Sequence, residues 1–290
     1  MEDSYSDEFY LGQADASALS AQRVIPILLS LFPDLKSAID AGCGVGTWLS
    51  ICAENGFTEV LGLDGDYVNK KLLRIPADSF IPSDLSSDFA SKINKKYDLA
   101  ISLEVAEHLE ADKADYFVDA LTSFSDVILF SAAVPYQGGV SHVNEQWPEY
   151  WAEKFKRKGY FPLDIIRPLV WDDALVVDHY RQNIFVFTTK EIIDSLFDDY
   201  DFDTKLNLKV THPELLLTLY KRGNELNQLA RIAKSASHLL SSFIPSKSKR
   251  KNFRRKCYSK ISQSLYPSHT KKPALYPASA KNKVSIPYSA

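Results

Sequence analysis

The sequence predicts an α/β fold, a mostly parallel sheet with helices on both faces, and three observations carry that expectation. Apolar runs of strand length alternate with stretches of helical periodicity. The first strand breaks into a glycine turn that opens a helix, and later strands end in carboxylates. Strand–helix–strand alternation implies parallel pairing through right-handed crossovers, and in such open sheets ligands bind outside the carboxyl ends of the strands.

The elements follow in order. Residues 17–31 place Ala18, Leu19, Ala21, Val24, Ile25, Leu28, Leu29 and Leu31 at helical spacing, and Pro33 stops that helix. Strand 1 is expected at about 37–41, a helix at 45–55, strand 2 at 59–64, strand 3 near 77–82 and strand 4 at 97–103. A helix near 110–123 leads to strand 5, Asp126 to Ala133, then to a long loop containing Gly138 and Gly139. A helix at 148–158 and strands near 160–166 and 182–189 bring the strand count to seven. The chain has no internal repeat.

The turn reads Asp40-Ala41-Gly42-Cys43-Gly44-Val45-Gly46-Thr47. Its glycines remove Cβ atoms that would keep a ligand from the backbone, and amides at a helix N-terminus favour an anionic group. A nucleotide-like ligand is expected there, against the alternative of an ordinary strand-to-helix turn. The dinucleotide fingerprint fits poorly, because its third glycine position is Thr47 and an acid, Asp40, already precedes Gly42 by two. Val60 to Asp64 is a second apolar run ending in a carboxylate, at a spacing suited to ribose hydroxyls. Ser83-Asp84-Leu85 closes the third segment, and Glu104 stands at the end of the fourth strand.

Composition bounds the rest. The 290 residues are 45% hydrophobic, enough for one sizeable domain and an appendage. The chain lacks an 18-residue apolar run and begins with an acidic segment, so neither a transmembrane helix nor a signal peptide is expected. Cys43, Cys52 and Cys257 form no C-x-x-C pair, which points away from zinc and toward a reducing cytoplasm; Cys43 reads as a small filler of the turn. Net charge is polarised: residues 1–220 carry −18 and residues 221–290 carry +15. The expected division is therefore a domain at 1–220 and a basic, partly helical or disordered tail at 221–290. Lys247 to Lys256 could attract the anionic inner face of a membrane, nucleic acid or an acidic polymer, or lie loosely on the chain's own acidic body. Oligomeric state is not legible.

The pattern acidic-x-G-x-G-x-G at Asp40 to Gly46, with Asp64, Asp84 and Glu104 following, resembles the class I S-adenosylmethionine-dependent methyltransferases. The resemblance covers roughly residues 15–190. It implies a Rossmann-like, seven-stranded, mostly parallel sheet whose last strand is antiparallel. It also implies that Asp40, Gly42, Cys43, Gly44 and Gly46 take the amino acid end of S-adenosyl-L-methionine, Asp64 its ribose, Asp84 and Leu85 its adenine, with Glu104 at the methyl end.

After strand 4 comes Glu104-Val105-Ala106-Glu107-His108, spaced so that one helical turn would put two carboxylates and an imidazole on one face. With His142 from the loop after strand 5, these residues could hold a hard divalent cation. This E-x-x-E-H with a later histidine resembles two metal-dependent groups: the small-RNA 2′-O-methyltransferases and the ubiquinone-pathway O-methyltransferases. In the RNA group a histidine followed by an acid and Trp completes the site, an order echoed by His142, Glu145 and Trp147. The resemblance implies Glu104, Glu107, His108 and His142 as ligands of Mg2+ or Mn2+, with His108, His142 and Glu107 catalytic. The alternatives are that Glu104 contacts the cofactor while the rest cap a helix, or that His108 or His142 is a general base.

Trp147, Tyr150 and Trp151 could stack on an acceptor or pack in the core. Tyr136, Gln137 and Asn144 could hydrogen-bond it, and Tyr180 to Asn183 open the last strand, either reaching the cleft or facing solvent. His179, His212, His238 and His269 have no ligand-like neighbours in sequence. The loop from Ser131 to Trp151 resembles a bacterial subgroup associated with surface-polysaccharide or secondary pathways. The expected activity is O-methylation of a vicinal hydroxyl on a sugar, small polyol or catechol-like acceptor, assisted by a divalent metal. The rivals are an RNA ribose methyltransferase that grips phosphates with the basic tail, and a non-catalytic membrane-associated scaffold.

Overall fold

A computed structural model of the chain describes residues 7–197, 208, 210–217 and 220–221. The chain divides into units Met1–Lys221 and Arg222–Ala290. The basic tail lies outside the described residues. Among those described, no helix is long and apolar enough to cross a membrane.

The first unit is built on seven strands: β1 Ser37–Ala41, β2 Glu59–Asp64, β3 Phe80–Pro82, β4 Leu99–Leu103, β5 Val127–Ser131, β6 Tyr160–Leu163 and β7 Phe185–Thr189. Their order is β3-β2-β1-β4-β5-β7-β6. The first five pair in parallel, and β7 runs antiparallel to both β5 and β6. Strand order therefore reverses at β1 and β4, where carboxyl ends diverge and leave a crevice.

Alternation along each strand builds two cores. Ala38, Leu99, Ile101, Leu129 and Val186 face one side, packing with Val24, Leu28, Trp48 and Leu49 of helices α1 Asp7–Leu31 and α2 Thr47–Glu54. Ile39, Ala100, Ile128, Phe130 and Phe187 face the other, under α3 Ala114–Phe124 and α4 Pro148–Lys156. Phe130 is central there, with the rings of Trp151, Phe155 and Phe187 centred 5.4, 5.3 and 5.8 Å away. Each such side chain removed from water contributes roughly 1.5–3 kcal/mol.

Helix α5 spans Arg167–Val170, α6 Asp178–Asn183 and α7 Lys190–Leu196. The expected strand at 182–189 is corrected: Tyr180 to Asn183 belong to α6, are buried rather than solvated, and β7 starts only at Phe185. Buried Arg167 binds Asp164 and the Gln182 carbonyl, and the Gln182 side chain in turn binds the Val210 carbonyl and the His212 amide. These bonds satisfy polar groups that would be costly to bury alone.

Candidate active site

A cleft of about 1440 Å3 opens at the carboxyl ends of the central strands. That exceeds the roughly 300–1,000 Å3 typical of a site for one small ligand, leaving room for two.

Asp40, Gly42, Cys43 and Gly44 line it, but Gly46 does not. A Cβ on Gly46 would lie 2.8 Å from Ile75 Cγ1, so this glycine lets the turn pack on the protein rather than on a ligand. Gly42 has φ +96°, and a Cβ there would strike Val105 Cγ2 at 2.2 Å. The expectation of free amides aimed at an anion is corrected for three residues of the turn. The Gly42 and Cys43 N–H groups donate to the Leu63 carbonyl at 2.8 and 3.2 Å, and the Gly44 N–H donates to Asp64 Oδ2 at 2.7 Å. What this end of the cleft offers is negative charge. Asp40 and Asp64 are both buried; burial, then the charge of Asp64, pushes Asp40 well above the usual carboxylate range. Burial also raises Asp64, against the pull of the Gly44, Tyr67 and Gly65 hydrogen bonds. A ligand cation would relieve that strain.

Cys43 is a buried thiol whose pKa burial raises, the setting of a filler and not of a nucleophile. Asp84 and Leu85 line the far side. Asp84 is exposed, and its Oδ1 accepts from the Ser86 N–H and hydroxyl at 2.9 and 2.6 Å, bonds that lower its pKa.

Glu104 follows β4 with φ +56°, the left-handed region. That backbone breaks the helical face expected for Glu104, Glu107 and His108, since only Ala106–His108 form a short 3-10 turn. Glu104 is instead clasped by amides: Gln137 Nε2 donates to Oε2 at 2.8 Å and Asn183 Nδ2 to Oε1 at 3.0 Å. Asn183 Nδ2 also donates to Gln137 Oε1 at 2.9 Å, which closes the triad. Glu104 thus stands apart from the ligand set expected of it, its oxygens being held by neutral donors.

Glu107, His108 and His142 do converge, with one potential ligand atom from each lying within 4.8 Å of the others. The loop after β5 brings His142 there because the Val143 and Asn144 N–H groups both donate to the Glu107 carbonyl at 2.9 Å. Glu145 sets the histidine. Its carboxylate accepts from the Tyr136 and Gly138 amides and meets His142 Nδ1 at 3.0 Å. With Nδ1–H donating to Glu145, the Nε2 lone pair faces inward, 4.0 Å from Glu107 Oε1. Glu107 is fully buried, and neither carboxylate oxygen meets a donor in good hydrogen-bond geometry, the nearby backbone amides of Glu107 and Ala133 only partly offsetting its burial; His108 Nδ1 likewise lacks a well-aligned partner. Burial, then the charge of Glu104, raises Glu107 well above the carboxylate range, while burial and His142 lower His108. The His108 and His142 rings meet edge to face at 4.8 Å. The cluster joins a proton-hungry carboxylate to two imidazoles, the donor chemistry of a divalent cation site.

Several sequence readings shift. Of Trp147, Tyr150 and Trp151 none lines the cleft; Trp151 is core and Tyr150 lies over Lys154. Gln137 lines it, whereas Tyr136 and Asn144 do not. His179 does line it, at the start of α6, although nothing in its local sequence marked it. His212 binds the Trp171 carbonyl outside it.

Residues 16–203 match a family model described as a methyltransferase domain. No curated protein matches the chain. Among solved structures, the methyltransferase domain of the bacterial CtHen1-C is 22% identical, with 59% of this chain and 98% of that one covered at a TM-score of 0.43. DesVI of Streptomyces venezuelae is 13% identical, covering 63% and 96% at 0.46. The magnesium protoporphyrin IX methyltransferase of Synechocystis PCC 6803 is 18% identical, covering 64% and 86% at 0.43. These are likenesses only, and the assignment rests on the family model together with the strand order. The chain belongs to the class I S-adenosylmethionine-dependent methyltransferases.

Proposed function

We propose that the protein transfers a methyl group to one hydroxyl of a vicinal pair on a small, uncharged acceptor such as a sugar, polyol or catechol-like ring, with a divalent cation held by Glu107, His108 and His142. The carrying observation is the Glu107 carboxylate, fully buried beside two imidazoles with neither oxygen meeting a well-aligned donor. A group so placed is expensive unless it holds a proton or a cation.

When bound, S-adenosylmethionine supplies an electrophilic methyl, and a divalent cation such as Mg2+ or Mn2+ supplies a lowered hydroxyl pKa and a two-point grip on adjacent oxygens. The chain's own residues do the remaining work. Asp40 provides negative charge for the ammonium end, Asp64 accepts from ribose, and Asp84 and Leu85 flank adenine. Glu104, locked by Gln137 and Asn183, keeps a fixed carboxylate beside the transferring methyl. Glu145 fixes the tautomer of His142, so that its Nε2 stays available. Alignment and exclusion of water account for most of the acceleration such a transfer needs.

Besides Glu107, which holds a proton or a cation, Asp40, Asp64, Asp66, Asp84 and Glu104 line the cleft, and no Lys or Arg does among the described residues. That field repels phosphates and favours a neutral acceptor over an RNA end. Calorimetry with S-adenosylmethionine, in chelator and then in Mn2+, followed by turnover on a panel of diols and their monomethyl ethers, tests the reading. Mn2+ should be required for turnover, with diols accepted and ethers refused. Undiminished turnover in chelator, or full activity of His142→Ala, would remove the cation. A preference for 3′-terminal RNA would replace the acceptor.

A further inference from the structure

The carboxylate of Asp64 takes three hydrogen bonds: from the Gly44 N–H on Oδ2 at 2.7 Å, and from the Gly65 N–H and the Tyr67 hydroxyl on Oδ1 at 2.7 and 2.8 Å. An ionised carboxylate offers about four lone-pair sites, two on each oxygen. Both sites on Oδ1 are filled, and a single site remains on Oδ2. A ribose presents two adjacent hydroxyls, and clasping both across one carboxylate requires a place on each oxygen.

One of the three donors must therefore yield. The backbone amides cannot. Gly44 belongs to the turn whose preceding two amides are tied to the Leu63 carbonyl, and Gly65 directly follows the carboxylate it binds. The Tyr67 side chain can, because it is 59% exposed and two torsions carry its hydroxyl away. Its ring lies across Gly65, where a Cβ would sit 2.0 Å from Tyr67 Cε1, so the absent side chain at 65 is what lets the phenol reach Asp64.

We propose that Tyr67 is an internal competitor for the sugar site: its hydroxyl holds on Asp64 the place of one ribose hydroxyl and is evicted when the nucleoside binds. The inference rests on the reading of Asp64 as the ribose partner given above. Sugar recognition is then an exchange, in which a diol replaces the phenol and a sugar without hydroxyls leaves it seated. Tyr67 thereby lowers affinity for the intact nucleoside and narrows its margin over a sugar without hydroxyls.

The test is calorimetric titration of the full chain and its Tyr67→Phe variant with S-adenosylhomocysteine and with the 2′,3′-dideoxy analogue of that product. Losing a hydrogen bond to a charged acceptor that must otherwise be broken should tighten binding of S-adenosylhomocysteine about tenfold in Tyr67→Phe. The dideoxy analogue should bind both proteins equally. Tyr67→Leu should repeat the gain, which makes the result independent of how the phenyl ring settles. Unchanged or weaker binding of S-adenosylhomocysteine by both variants, with the unaltered chain still preferring the diol, overturns the proposal and leaves Asp64 as the ribose partner. Equal affinity for the two ligands in both the unaltered chain and Tyr67→Phe would instead overturn the ribose assignment itself, and the competitor with it.

Discussion

Replacing Glu107 by Gln separates charge from shape at the centre of the cluster. The glutamate is fully buried, its oxygens lack well-aligned donors, and burial with the Glu104 charge raises its pKa well above 4.5. The folded chain therefore keeps a proton there that the unfolded chain releases. This group's contribution is whole below the unfolded pKa and is lost as pH rises toward the folded one. Each unit of that gap corresponds to about 1.4 kcal/mol. Gln escapes the titration, but its buried amide leaves unpaired dipoles that cost about 1–3 kcal/mol at every pH. Urea unfolding followed by circular dichroism, in chelator, should thus find Glu107→Gln gaining on the unaltered chain as pH climbs above the ordinary carboxylate range. A cation at a hundred times its dissociation constant adds about 2.7 kcal/mol to a protein that binds it only when folded. Mn2+ should give that increment to the unaltered chain and little to the variant. Parallel pH curves would refute the burial argument, and equal Mn2+ increments would refute the cation site.

Three further outcomes are expected. Gly42→Ala combines φ +96° with a 2.2 Å approach to Val105; it should cost about 1–3 kcal/mol and abolish the thermal shift given by S-adenosylhomocysteine. Asp40 has a raised pKa through burial and Asp64, and only its ionised form attracts an ammonium, so affinity for S-adenosylhomocysteine should rise with pH above the ordinary carboxylate range and then level. Asp40→Asn should bind more weakly, with that rise flattened, both read by calorimetry across pH. Asn183→Leu strips a donor from Glu104 and Gln137; the expected loss is about 1.5–3 kcal/mol in urea unfolding, and a loss under half a kilocalorie would mean that the clasp is idle.

Strand ends were the most legible part of the chain, because apolar runs closing on Asp40, Asp64 and Glu104 carry both the period of a strand and the polarity of its open end. The start of the last strand is hidden in the sequence. Tyr180 to Asn183 occupy a helix of six residues, too short to register a 3.6-residue period, and their burial depends on partners such as Glu104, Val210 and His212, far away in sequence. The face drawn through Glu104, Glu107 and His108 assumed an α-helix, whereas a left-handed residue and a 3-10 turn follow β4. Residue types could suggest His142 as a member of the cluster. The amides of Val143 and Asn144 that deliver it are common to every residue but proline, so no side chain announced them. His179 is silent in the sequence because its place in the cleft comes from the docking of α6, a tertiary event.

Glu107 plays two parts that rest on different atoms. Its carbonyl anchors the incoming loop through two amides, while its side chain meets the histidines. Because the anchor is peptide rather than carboxylate, exchanging the side chain leaves the tether in place. Evolution, or an engineer, can therefore rewrite the reactive chemistry at this position while the architecture around it stands, and a lineage that discarded the carboxylate would still inherit a correctly seated loop.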